Sequence, residues 1–178
     1  MGKRAAAIGV AGVLCCIIGG ASALAATVSG SPKAGTIHVF VNPGNGQGNG
    51  QMLITGAIGD FGTTHKSTQG GKVYSDATLR EGTIVFDLTA LNAKSNSVNP
   101  PVNKRTCSAS FSVTAPVPIV KGTGLYANIS GTIKITESFG FLASRFTSGP
   151  NKGKCNFSNS AQPLAQMGSV HGSGTVSF

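Results

Sequence analysis

The chain has 178 residues, only 11% of them charged, and its 14 basic residues outnumber 5 acids for a formal net charge of +9. With so few charges the surface has to be made polar by Ser, Thr, Asn and the 26 glycines, which suits an extracellular β protein of a single domain. The positive excess favours acidic partners, but with no Trp and only two Tyr there is no basic stripe interleaved with aromatics, so nucleic acid is not expected among them.

Lys3 and Arg4 open the chain, followed by an uncharged run from Ala5 to Ala26 that contains Ala23-Leu24-Ala25. A basic head, an apolar centre and a small-x-small ending are the requirements of a secretory signal peptide. Residues 1–25 are read as that signal, the protein as secreted, and no stable membrane insertion is expected after cleavage. An uncleaved anchor is the alternative, since 22 uncharged residues could span a bilayer, although Ala and Gly drive insertion weakly. Cleavage removes Cys15 and Cys16 and leaves Cys107 and Cys155 in an oxidising compartment, where one pairing is available. Such a bridge closes a loop of 48 positions and is worth on the order of 4 kcal/mol in the chain-entropy model; two free thiols are the other reading.

Residues 26–35 form a Ser/Gly/Pro tail, expected to be loose, and residues 36–178 a single domain. Thr36 to Val41 alternates with Ile37, Val39 and Val41 on one side, and Asn42-Pro43-Gly44-Asn45-Gly46 forces a turn. Gln51 to Ile58 and Val73 to Leu79 read as the next strands, joined by a polar connection from Gly59 to Lys72. Gly82 to Leu91 follows as a strand, and Asn92 to Arg105 as a loop broken by Pro100-Pro101. Thr106 to Ala115 alternates most clearly, with Cys107, Ala109, Phe111, Val113 and Ala115 on the buried face. Pro116 and Pro118 then mark an end of pairing or an exposed edge.

Tyr126 to Glu137 repeats the pattern, and Gly153 to Ser158 and Ser169 to Phe178 complete the set. No segment holds a 3.6-residue apolar period, so little helix is expected. About eight strands, with inward glycines at 131, 172 and 174 that let strands coil, predict a small closed antiparallel β-barrel; an open β-sandwich is the competing architecture.

The segment Gly122-Thr123-Gly124-Leu125-Tyr126-Ala127-Asn128-Ile129-Ser130-Gly131 resembles the G-x-G-x-aromatic-x-x-apolar-x-Gly signature of the allene oxide cyclase and dirigent barrels. Leu79 to Asp87 is similar to the central strand pair of small secreted bacterial proteins assigned to that superfamily. The resemblance implies an eight-stranded antiparallel barrel, often trimeric and so a possible homo-oligomer, with a cavity for an apolar small molecule. Cyclases of this family bind a fatty-acid epoxide and dirigent proteins guide phenoxy-radical coupling, but neither group's catalytic residues match positions in this chain. The same glycines satisfy G-x-G-x-x-A, yet strand-like alternation follows and no acid lies near position 145, so a dinucleotide site is rejected.

His38, His65 and His171 are scattered without carboxylate or Cys at ligand spacing, so neither a metal nor a cofactor is expected. Neither a G-x-S-x-G elbow nor an H-E-x-x-H helix is present. Asp87, mid-strand in an apolar run, is a weak catalytic candidate: burial in a cavity would raise its pKa, whereas alternation with Ile84, Phe86 and Leu88 favours an outward position. A Cys107–Cys155 bridge would bring Lys104 and Arg105 together with Lys152 and Lys154. These four are the candidate ligand-binding residues, either for the acidic group of a ligand whose apolar part enters the barrel or for an acidic envelope polymer.

Two functions remain open on these grounds. The first is a secreted barrel that binds a small apolar, anionic ligand, with isomerase- or cyclase-like or coupling-guide activity as an extension. The second is a non-catalytic secreted protein that adheres to cell-envelope polymer or to a partner protein. A hollow interior lined by Phe and Ile with one or two polar groups would mark the first, and an interior filled solid by side chains the second.

Overall fold

The computed structural model describes residues 32–43, 49–158 and 160–178. Residues 1–25, read above as a signal, most of the expected tail and the glycines of the first expected turn lie outside the described residues. The strands are β1 (Gly35–Asn42), β2 (Asn49–Gly56), β3 (Asp60–Gln69), β4 (Lys72–Leu79), β5 (Thr83–Asp87), β6 (Ser108–Gly122), β7 (Ser130–Leu142) and β8 (Ala165–Ser177). One helix, α1 (Thr89–Ser97), follows β5, and a single 3-10 turn (Gly124–Tyr126) separates β6 from β7.

Each strand pairs antiparallel with its successor and β8 pairs with β1, so the sheet closes into an eight-stranded barrel. An open sandwich is thereby excluded. Period-two alternation explains the closure: Ile37 and Val39 of β1, Ile54 of β2, Ile84 and Phe86 of β5, Val117 of β6, Ile133 of β7 and Val176 of β8 all project inward and are almost fully buried. Burial of each such side chain stabilises the fold by about 1.5–3 kcal/mol. Gly172 and Gly174 of β8 lie opposite Val39 and Ile37 on one side and Ile135 and Ile133 on the other, so the missing side chains make room for the large ones.

The strand count agrees with the sequence reading, but its membership does not. The polar connection from Gly59 to Lys72 contains a ten-residue strand, β3, while Gly153 to Ser158 contributes only an isolated bridge between Cys155 and Arg145. β3 shows no apolar alternation because its inward positions include Asp60 and Thr64, and β pairing on both sides holds it in place. Gly82 to Leu91 is a strand only as far as Asp87, and Asn92 is part of a helix rather than a loop. Helix α1 escapes detection because a single residue, Leu91, is buried, so it has no apolar stripe to display.

Pro116 and Pro118 do not end pairing with β7: they face Lys134 and Thr132 inside an unbroken ladder. On the other side of β6, β5 reaches no further than Ile119, and the remaining edge is flanked by α1. A proline can sit there because no neighbouring strand asks for its N–H. Lys94 of α1 donates to the Thr114 carbonyl on that edge at 2.8 Å.

Candidate functional site

The two ends of the barrel differ. At the end where β2 meets β3 and β6 meets β7, Ile58, Ile129 and Tyr126 fill the opening. Asp60, only 2% exposed, accepts three hydrogen bonds there: from the Tyr126 hydroxyl at 2.5 Å, the Phe61 N–H at 2.7 Å and the Glu81 N–H at 3.1 Å. Burial pushes the Tyr126 phenol well above its ordinary range, and the Asp60 carboxylate it bonds reinforces the shift. The glycine motif makes this plug possible. Gly124 has φ +62°, and a β-carbon there would meet the Glu81 carbonyl; at Gly122 it would meet the Tyr126 carbonyl.

The opposite end is hollow. A cavity of about 480 Å³ opens beneath α1, within the size range of small-molecule sites. Its floor is Val39, Met52, Phe86 and Ile135, and its upper wall is Val41, Phe111, Phe139 and Val170. Leu88 and Leu91 close it on the helix side, while Thr64, Lys66, Ser75, Asn92, Ser95 and Glu137 supply the polar groups.

Hydrogen bonds to four different strands fix the helix over this opening. The Lys66 ammonium of β3 donates to the Asn92 side-chain oxygen at 2.9 Å, and the Ser95 hydroxyl donates to a Glu137 carboxylate oxygen of β7 at 2.8 Å. The Val73 N–H of β4 donates to the Thr89 hydroxyl at 3.1 Å, and Lys94 reaches β6 as described. Cation and carboxylate therefore stand in an otherwise largely apolar cavity, each steadied by a helix side chain.

The inward position of Glu137 is legible in the sequence, since it continues the series Ile133, Ile135 by one more step, although its charge breaks the apolar pattern. Asp87 lies elsewhere. It is not among the cavity-lining residues; its carboxylate accepts the Thr89 N–H at 2.9 Å at the start of α1 and stands 3.9 Å from the Lys72 ammonium. Hydrogen bonds from the Thr89 side chain and backbone hold its carboxyl below the ordinary carboxylate value, with a smaller contribution from Lys72.

Cys107 and Cys155 form a disulfide with Cα atoms 5.3 Å apart. Lys104, Arg105, Lys152 and Lys154 are exposed around it, and none of them lines the cavity. Arg145 joins this corner unannounced by the sequence. Its guanidinium donates to the Gly153 carbonyl at 2.6 Å and to the Arg105 carbonyl at 2.5 Å, lacing together the two segments that the disulfide joins. Among the described residues, the only ion pair is Lys72–Asp87, and no group of three His, Cys, Asp or Glu converges as a metal site would require. Comparison of the chain with family models, with curated proteins and with solved structures returned no match.

Proposed function

We propose that this protein is an exported barrel that binds one small, mainly apolar molecule in the cavity under α1, with an acidic group of that molecule meeting Lys66 at the mouth. The observation that carries the reading is the hollow itself, walled by Phe86, Phe111, Phe139 and Ile135 yet furnished with one ammonium and one carboxylate. A barrel of eight strands has room either for a solid filling or for one small ligand, and this one is filled at one end only. Kinship with the allene oxide cyclase and dirigent barrels belongs to the same proposal. It is supported by the consecutive strand order and by the part the Gly122–Gly131 motif plays in seating Tyr126. Any isomerase or coupling-guide chemistry would draw on Glu137, the carboxylate that lines the cavity, rather than on Asp87.

The test is titration with an anionic, apolar fluorophore such as anilinonaphthalene sulfonate, together with native mass spectrometry of protein from its source. Val170→Trp, which fills the cavity from β8, is expected to weaken the fluorophore by about tenfold or more, and Lys66→Met by a few-fold, with stability preserved. Equal affinity in wild type and Val170→Trp would overturn the proposal.

A further inference from the structure

The disulfide corner lies apart from the cavity lining. Phe111 lines the cavity, and Cys107 lies four residues back along the chain, a separation of about 13 Å in extended backbone. After β7 the chain folds a short hairpin on itself: the Phe146 N–H donates to the Lys154 carbonyl at 3.0 Å, the Gly153 N–H to the Phe146 carbonyl at 2.9 Å and the Asn156 N–H to the Ser144 carbonyl at 2.8 Å. The disulfide and the Arg145 guanidinium tie this hairpin to the Lys104–Arg105 segment.

Next to it lies a recess of about 220 Å³, lined by Phe141, Phe157, Asn156, Ser158, Gln162 and Gln166. The Phe157 ring packs edge-on against Phe141, with centroids 6.3 Å apart, and remains 38% exposed. Side-chain amides and a hydroxyl beside exposed aromatic carbon match a sugar ring, whose hydroxyls both donate and accept while its axial C–H groups lie against the ring face. The space suits a single sugar ring and is short for an apolar chain.

The charge beside the recess is of one sign. Lys104, Arg105, Lys152 and Lys154 are exposed around the disulfide, whose Cys155 precedes the recess-lining Asn156, and the sequence has no acid between Asp87 and Glu137 or after Glu137. No carboxylate forms an ion pair with these cations among the described residues. Three of the four are lysines, hydrated point charges that attract an anionic chain without demanding the fixed geometry an arginine fork imposes.

We propose that this corner binds an acidic polysaccharide, one sugar ring in the recess against Phe157 and the carboxylates of neighbouring sugars on Lys104, Arg105, Lys152 and Lys154. The experiment measures binding of the full chain to polygalacturonate, with polyphosphate, single-stranded DNA and neutral dextran as alternatives. The expected result is binding to polygalacturonate that weakens with added salt and falls about tenfold when Lys104, Arg105, Lys152 and Lys154 are all replaced by Gln. Phe157→Leu, which keeps apolar bulk but removes the ring face, is expected to weaken polygalacturonate a few-fold and to leave any polyphosphate binding unchanged. Binding of the cavity fluorophore should be the same in these variants, which checks their folding independently. Polygalacturonate affinity unchanged by the lysine and arginine replacements or by Phe157→Leu would overturn the proposal, as would tighter binding of polyphosphate or single-stranded DNA.

Discussion

The plugged end and the hollow end of this barrel are built from the same strands yet solve opposite problems. At the plugged end a buried carboxylate gathers one phenol and two backbone N–H groups, so every polar atom brought inside is used and the opening is closed. At the hollow end, polar groups are tied to a helix that spans the mouth, and the space beneath stays open. The difference teaches that the interior is packed unevenly along the barrel axis. One end holds the wall together, and the other keeps an underfilled space beneath α1.

The largest expected effect tests the plugged end. Asp60→Ala would leave the Tyr126 hydroxyl and the Phe61 and Glu81 N–H groups without their acceptor, a loss of about 5 kcal/mol in urea unfolding if each orphaned donor contributes its usual penalty. A loss below about 1 kcal/mol would erase the distinction between the two ends. Leu91→Ala comes next. It removes the buried anchor of α1, and about 3 kcal/mol is expected, together with faster amide exchange through Thr89–Ser97 and weaker retention of a cavity probe.

Tyr126→Phe is expected to destabilise by about 2 kcal/mol at neutral pH, read in the same unfolding experiment, because a charged acceptor loses one donor. It should also flatten the alkaline limb of the stability profile. Folding keeps this phenol protonated beyond pH 10.0, its ordinary value, so above that pH the unfolded chain binds fewer protons and wild-type stability falls as pH rises. The smallest effect belongs to the rim of the hollow end: Asp87→Asn should lose about 1 kcal/mol by thermal unfolding at neutral pH as the hydrogen bond at the start of α1 weakens. Because folding lowers the Asp87 pKa below 3.8, that advantage is present above pH 3.8 in the wild type and disappears as the carboxylate protonates in acid.

Legibility in the sequence followed apolar alternation. Where inward residues are Ile, Val and Phe, as in β1, β5 and β6 as far as Ala115, the buried faces could be read directly. Where inward positions turn polar, the signal fails. Asp60 and Thr64 hide β3, and the charge of Glu137 hides that β7 runs on to Leu142. Those positions supply the plug and part of the cavity's polar lining, because a buried polar group breaks the pattern that reveals a strand while giving a site its chemistry.

Local sequence by itself determined that the chain would be β-rich, that glycines would stand at inward positions where strands coil, and that Cys107 and Cys155 could pair with each other. These are matters of backbone sterics, period and residue supply, which neighbouring residues settle. Only the tertiary structure decided which end of the barrel is filled, that α1 covers the other, that Glu137 and Lys66 share its cavity, and that Arg145 laces the disulfide corner. Each of these depends on strand register around a closed ring, where residues far apart in the chain become neighbours and no local pattern records the meeting.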